Sequence, residues 1–336
     1  MRESELDGAA SAPERLDRFM ARANAAYYAE RDPFADFTTA PEISQVFGEI
    51  LGLWAAVEWD QIGRPAPVVL AEAGPGRGTL MADALRAIRR AAPAFAAALD
   101  LHLIETSERL RAAQAKVLSE AAWHARLDSL PDAPLLLLAN EFLDALPIRQ
   151  FVHRGTGWTE RFVAAGRMVE QPAEAPAGRI AAEGETVEIG EAAHELVTIL
   201  GRRLAARPGA ALFLDYGSPE SIPGETLQAV RDGRPADPLA DPGEADLTAH
   251  VDFAAIAAAA RAAGAAVHGP LPQGLFLARL GLFQRTDRLA RGHSPREALA
   301  LIEAARRLAE PDRMGRLFKV MALCHPGAPI PPGFEA

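Results

Sequence analysis

Cysteine is nearly absent: one residue, Cys324, in a chain of 336. An intrachain disulfide and a Cys-rich zinc site are both excluded, and nothing calls for an oxidising compartment. Basic residues are also in deficit, with 35 Lys and Arg against 45 Asp and Glu for a formal charge of -10. Non-specific nucleic-acid binding is driven by Lys and Arg, so no nucleic-acid partner is expected; an acidic surface suits a basic protein or peptide better. No apolar run is long enough to cross a bilayer, and no membrane insertion is expected. Residues Met1–Asp7 have neither the apolar core of a secretory signal nor the acid-poor character of a mitochondrial presequence, which makes a cytoplasmic location the expectation. His, Asp and Glu fall at no spacing that reads as a metal site, and no Gly-x-Ser-x-Gly elbow marks a hydrolase.

What is there is the make-up of an ordinary globular protein, 49% hydrophobic and 24% charged. Leu16, Phe19, Met20 and Ala23 recur at helical spacing and predict a helix over 14–28. After a break at Asp32-Pro33, a second helix is expected over 41–59, with Val46, Phe47, Ile50, Leu51 and Trp54 on one wide apolar face and Thr38 or Thr39 as its cap. From Pro67 short apolar runs alternate with helices, the pattern of buried parallel strands with crossover helices. Strands are expected at 67–71, 101–104, 125–127, 135–139, 210–214, 265–268 and 317–323, and helices at 79–91, 107–120 and 190–206. The fold class is therefore α/β, a doubly wound sheet. Two period-two segments, 148–152 and 158–163, read as a β-hairpin, and 218–249, rich in Pro, Gly and Asp, as a long functional loop. The expected division is an N-terminal helical lid at 1–60, halves of the core at 61–147 and 209–336, and an inserted hairpin and helix at 148–208.

The strongest chemical signal is Glu72-Ala73-Gly74-Pro75-Gly76-Arg77-Gly78, between the first strand and its helix. Glycines there permit a tight turn and let a ligand lie against bare backbone. A dinucleotide fingerprint would need a third glycine where Thr79 stands, and no phosphate-loop lysine follows. Gly-x-Gly-x-Gly with an acid two residues ahead suits a cationic, phosphate-free ligand instead, and the sulfonium cofactor S-adenosylmethionine is one. Glu105, ending the second strand, is placed to accept hydrogen bonds from ribose hydroxyls. Asp128, after the third, is a candidate for the adenine amino group, with a plain turn role as the alternative.

The stretch Asn140-Glu141-Phe142-Leu143-Asp144-Ala145-Leu146-Pro147 follows the fourth strand at the carboxyl edge, where open α/β sheets bind ligands. Asn140 joins the cofactor-binding candidates. Glu141 and Asp144 are costly beside each other unless a cation pairs with them, which points to a guanidinium or amine acceptor oriented for in-line transfer. A helix cap at Asn140 with Asp144 in the first turn is the competing reading. Asp215-Tyr216-Gly217 has the same address. His250, between Asp246 and Asp252, is a candidate proton acceptor; a helix start capped by Asp252 is the plainer reading.

In order along the chain, these segments resemble a known family, the MidA-type class I methyltransferases, which include the mitochondrial arginine methyltransferase that assists assembly of respiratory complex I. The likeness runs from Phe37-Thr38-Thr39-Ala40-Pro41-Glu42 through the glycine turn, 140–151, 215–217, 246–253, Gln273-Gly274-Leu275-Phe276 and Met314-Gly315-Arg316-Leu317-Phe318-Lys319-Val320. It implies a class I methyltransferase fold, S-adenosylmethionine at Gly74, Gly76, Gly78 and Glu105, and a protein substrate, an arginine on a complex I core subunit. Two features depart from the family: the region between Met20 and Phe37 is short, and Ala26 stands where a glycine usually precedes the aromatic pair Tyr27-Tyr28. The leading expectation is a protein arginine methyltransferase with Glu141 and Asp144 on the guanidinium. The alternatives are an assembly chaperone that binds the cofactor as a structural element, and a small-molecule methyltransferase with a closed pocket and no groove along the hairpin.

Overall fold

A computed structural model describes residues 12–31 and 38–335. The break expected at Asp32-Pro33, Phe37 at the head of the N-terminal motif and Met1–Asp7 lie outside the described residues.

Seven strands form the continuous path of an eight-stranded central sheet: β1 (Val68–Ala73), β2 (Leu99–Ile104), β3 (Ala122–His124), β4 (Leu135–Asn140), β5 (Gly209–Ser218), β6 (Ala266–Pro272) and β7 (Phe318–Cys324), with the two-residue strand Val251–Asp252 paired in parallel to the end of β5. Their order across the sheet is β6-β7-β5-β4-β1-β2-β3. The strands from β1 to β5 pair in parallel, whereas β7 runs antiparallel to both β5 and β6. The α/β reading thus gains one reversed strand inside the sheet. The sequence could not show this, because a buried apolar run carries no sign of its direction.

All six residues of β1 and of β4 are buried. Such continuous apolar runs need both faces covered. Helices Gln45–Gln61 and Thr79–Ala91 pack on the face of Leu70, Leu136 and Leu138. Helices Glu191–Ala206 and Phe253–Ala262 pack on the face of Val69, Leu135 and Leu137. The chain leaves β1 towards β2 on one side and reaches β4 on the other. The gap between the carboxyl ends of β1 and β4 is therefore the switch point of the sheet.

Several boundaries differ from expectation. The third strand lies at 122–124, and 127–129 is a single 3-10 turn. The second N-terminal helix is two, Ala40–Ile43 and Gln45–Gln61, because the Ser44 hydroxyl accepts the Val46 N–H and caps the longer one. Thr39 holds the cap position of the shorter helix without a side-chain hydrogen bond. The longer helix is a layer of the core; only helix Leu16–Glu30 crosses the carboxyl edge, where Asn24 donates to the Ala145 carbonyl (3.1 Å) and the Leu247 carbonyl (2.8 Å). The hairpin is the centre of a five-stranded antiparallel sheet that adds 14–15, 167–173 and 186–189. The supposed long loop holds a second small sheet, from 228–231, 234–236 and 246–248.

The C-terminal motifs have a packing role. A Cβ on Gly274 or on Gly315 would stand 2.0 Å from the Ala309 carbonyl oxygen. Bare backbone at both positions lets the end of helix Pro295–Ala309 seat against the short helices Gln273–Arg279 and Met314–Leu317, where Gln273 also donates to the Leu308 carbonyl (2.9 Å).

Candidate active site

Beyond β1 the chain turns through Gly74, Gly76 and Gly78, all left-handed at φ 65°, 54° and 83°. Side chains resist that region, so the turn requires its glycines. It is pinned by the Gly74 N–H on the Ile104 carbonyl (3.1 Å) and the Gly78 N–H on the Pro75 carbonyl (2.7 Å). A Cβ on Gly74 would come within 2.9 Å of the Phe142 ring. The missing side chain is therefore what allows the glycine turn to meet the turn after β4.

Glu72 is buried beside this turn and accepts the Met81 backbone N–H, while its Oε2 has no partner among the described residues. Burial pushes its carboxyl up to about 8, so the neutral form dominates at pH 7. Its bond to Met81 steadies the first turn of helix Thr79–Ala91. Glu105 stands just beyond β2. Its Oε1 accepts the N–H groups of Thr106 and Ser107 (both 2.8 Å), and burial raises its pKa against those bonds. Gln114, which the sequence gave no reason to select, donates to the Gly76 carbonyl (2.8 Å) and to Glu105 Oε2 (3.3 Å), and accepts from the Trp123 indole (2.8 Å). It ties the glycine turn to the acid at the end of β2. Asp128 is exposed in its 3-10 turn and paired with Arg126 at 3.0 Å, apart from these buried groups.

Across the switch point, β4 ends at Asn140, whose Nδ2 donates to Glu141 Oε1 (3.0 Å) and whose Oδ1 has no partner among the described residues. No helix starts here, so the helix-cap reading of Asn140 falls. Glu141 is left-handed at φ 50°, a strained state for a residue with a side chain. Asp215 accounts for it. Its Oδ2 accepts three successive N–H groups, from Phe142 (3.1 Å), Leu143 (2.9 Å) and Asp144 (3.2 Å), and its Oδ1 accepts the Tyr216 N–H (2.9 Å). The Ala40 N–H also donates to Glu141 Oε1 (3.2 Å), which brings the N-terminal motif to the site.

Three acids are thereby gathered at one edge. Burial pushes Glu141 up to about 7, and burial with the neighbouring Glu141 pushes Asp144 up to about 7. Burial and Asp144 push Asp215 up as well, but four N–H donors favour its anion. The three acids titrate together and retain protons near neutral pH, and Asp144 Oδ1 has no hydrogen-bond partner among the described residues. Tyr216 bonds Asp144 through its hydroxyl, and Tyr28 of the covering helix donates to Asp246 (2.7 Å). His250 is not brought to the acids. The residue as a whole is exposed, but its ring is partly covered where it meets Tyr216 edge-on at 5.4 Å, and that partial burial lowers its pKa. Asp252 caps helix Phe253–Ala262 through the Ala255 N–H (2.9 Å).

The chain is similar to known proteins over most of its length. Residues 50–271 match the family described as "Putative S-adenosyl-L-methionine-dependent methyltransferase". The chain belongs to that family. A "likely methyl transferase" from Burkholderia thailandensis bound to S-adenosyl-homocysteine superposes with a TM-score of 0.79 at 31% identity, over 96% of this chain and 89% of that one. Among curated proteins, the Drosophila melanogaster protein arginine methyltransferase NDUFAF7 homolog, mitochondrial, is 34% identical over 89% of this chain and 78% of its own length. The Homo sapiens protein arginine methyltransferase NDUFAF7, mitochondrial, is 33% identical over 88% and 76%.

The methyltransferase therefore has the class I fold and uses S-adenosylmethionine. The cytoplasmic expectation is corrected, because these curated relatives are mitochondrial proteins. Its site fits the cofactor: side-chain-free backbone at three turn positions, a carboxylate at the end of β2, and an unpartnered Asn140 oxygen at the switch point. Among the described residues no group of His, Cys, Asp and Glu is placed to hold a metal ion, and no helix is long and apolar enough to cross a membrane.

Proposed function

We propose that this methyltransferase N-methylates an arginine of a protein substrate, with Glu141 and Asp144 holding the guanidinium. The observation that carries the reading is the cluster itself. Buried carboxylates that share protons near neutral pH are a standing cost, which a cation with several N–H donors relieves. The glycine turn and the acid turn touch through Gly74 and Phe142, so the two ligands would meet at the switch point.

On this reading Gly74, Gly76, Gly78 and Glu105 hold S-adenosylmethionine, Gln114 keeps Glu105 aimed at it, and Asn140 lies between cofactor and acceptor. Asp128 is left as an outer contact for the adenine. The bound cofactor supplies an electrophilic methyl group. Glu141 and Asp144 orient one guanidinium nitrogen in line with it and offset the charge as the nitrogen–carbon bond forms and the sulfur–carbon bond breaks. The proton released from that nitrogen passes to a carboxylate of the pair. Asp215 acts at one remove, by fixing the turn.

A macromolecular acceptor is favoured over a small one by an open groove of about 860 Å³ along the hairpin sheet, between Phe151 and Phe162 and the helix bearing Ala254 and Ala258. The arginine specificity in the names of the relatives points the same way. A subunit of respiratory complex I is the candidate acceptor that the family resemblance suggests. The test is incubation with methyl-labelled cofactor and that subunit, followed by mass mapping. The expected product is a methylated arginine; label on lysine, or none while cofactor binding is intact, would contradict the reading.

A further inference from the structure

Beside the acid cluster lies a second cavity, of about 190 Å³, between the core and the inserted sheet. Leu143 is one of its walls, and Leu143 directly precedes Asp144 in the acid turn. His250 is another wall, and its ring meets the edge of Tyr216, whose hydroxyl bonds Asp144. The cavity and the acid turn thus adjoin through Leu143 and through His250 and Tyr216. On its far side His194 lines both the cavity and the groove along the hairpin. The groove and the cavity therefore adjoin at His194.

The lining shows what the cavity takes. Leu146, Ile148, Val251 and Ile256 form its apolar floor. Of its four carboxylates, Glu225 pairs with Arg161 (2.6 Å) and Asp252 with Arg179 (2.6 Å), Glu188 accepts from the neutral donors Gln150 (2.8 Å) and the Thr226 N–H (2.9 Å), and Glu220 is exposed. Burial keeps the His194 and His250 imidazoles towards their neutral forms. Ile222 at the mouth of the cavity is 65% exposed, an apolar side chain awaiting cover. The volume exceeds the ~150 Å³ apolar cavity that accommodates benzene.

We propose that this cavity is a specificity pocket for one bulky apolar side chain, aromatic or branched aliphatic, lying within a few residues of the methylated arginine in the substrate. The inference rests on the arginine reading above and adds to it the sequence context that the enzyme selects. No covalent step is involved; burial of the side chain contributes binding energy that holds the arginine in register.

Gly224 provides the test. It lines the cavity, and a Cβ there would meet nothing within 4 Å, so a larger residue fits without displacing backbone. Labelled transfer is measured on arginine peptides in which alanine, leucine or phenylalanine is placed in turn at each of the three positions on either side. At one position leucine or phenylalanine is expected to raise kcat/KM roughly 10- to 100-fold over alanine. Gly224→Phe, which fills the pocket, should remove that preference and leave both transfer to the alanine peptide and calorimetric affinity for S-adenosylmethionine unchanged; Gly224→Ala should keep the preference. Transfer with no preference at any position, or a preference that survives Gly224→Phe, overturns the pocket while the arginine reading stands. Absence of transfer to every peptide, with the cofactor bound, overturns both.

Discussion

Glu141 occupies a conformation that its own side chain opposes, and the donors converging on Asp215 hold it there. Strain kept in place by a dedicated network at the carboxyl edge of a sheet belongs with function. Because Glu141 and Asp144 titrate near 7, the cluster is only partly anionic at pH 6 and more fully so at pH 8. The KM for the arginine substrate is therefore expected to fall as pH rises across that window, and kcat/KM measured against pH checks it. Glu141→Gln should lower kcat by roughly 10²–10³-fold and flatten the profile. At the other ligand, Glu105→Ala should weaken S-adenosyl-homocysteine binding roughly 10- to 100-fold, the worth of one or two hydrogen bonds to a charged group, as read by calorimetry. Glu105 and Glu141 stand where the sequence placed them, just beyond the carboxyl ends of β2 and β4, with Asp144 in the turn that follows. Gln114 was not legible: a glutamine in a short helix carries no signal until folding puts it between Gly76 and Glu105.

Strands that are buried on both faces announce themselves as apolar runs, and β1, β2, β4 and β5 lie close to where those runs place them. The third strand has only three residues, and Trp123 is its one large apolar side chain, so its position slid. Ser44 breaks a helix that periodicity alone joins, since a cap interrupts the backbone without interrupting the apolar face. The segment from 218 to 249 hid three short strands among Pro, Gly and Asp, because edge pairing in a small sheet needs little hydrophobic pattern. Two motifs carried by the family resemblance proved to be packing devices. Gly315→Ala would drive a methyl group into the Ala309 carbonyl. It is expected to destabilise the fold by about 1–3 kcal/mol, seen as a lower Tm, while cofactor affinity in the folded protein stays the same.

Over the whole molecule, buried acids set the response to pH. Glu58, fully buried with neither oxygen partnered among the described residues, is pushed up to about 7, and Glu72 to about 8. Both keep their protons to higher pH in the folded chain than in the unfolded one, where the carboxyl titrates near 4.5. Their contribution to stability is thus complete below about pH 4.5 and lost as pH climbs through 7 to 8. Glu58→Gln should remove part of that loss, stabilising the protein by roughly 1–3 kcal/mol at pH 8 and little at pH 4.5, as denaturant titrations at the two values would show. The sheet, the glycine turn and the acid edge were legible because each follows from local chemistry. The reversed β7, the groove and the displaced His250 were not, since they depend on contacts distant in sequence. The central claim is that the acid turn beside a cofactor-binding glycine turn methylates a guanidinium. Its most direct measurement is methyl transfer from labelled S-adenosylmethionine to an arginine-bearing protein, by the native enzyme and by Glu141→Gln, with cofactor affinity determined for both. The expected result is methylarginine from the native enzyme and little from the variant at equal affinity; equal transfer by the two, or none by either with the cofactor bound, would contradict it.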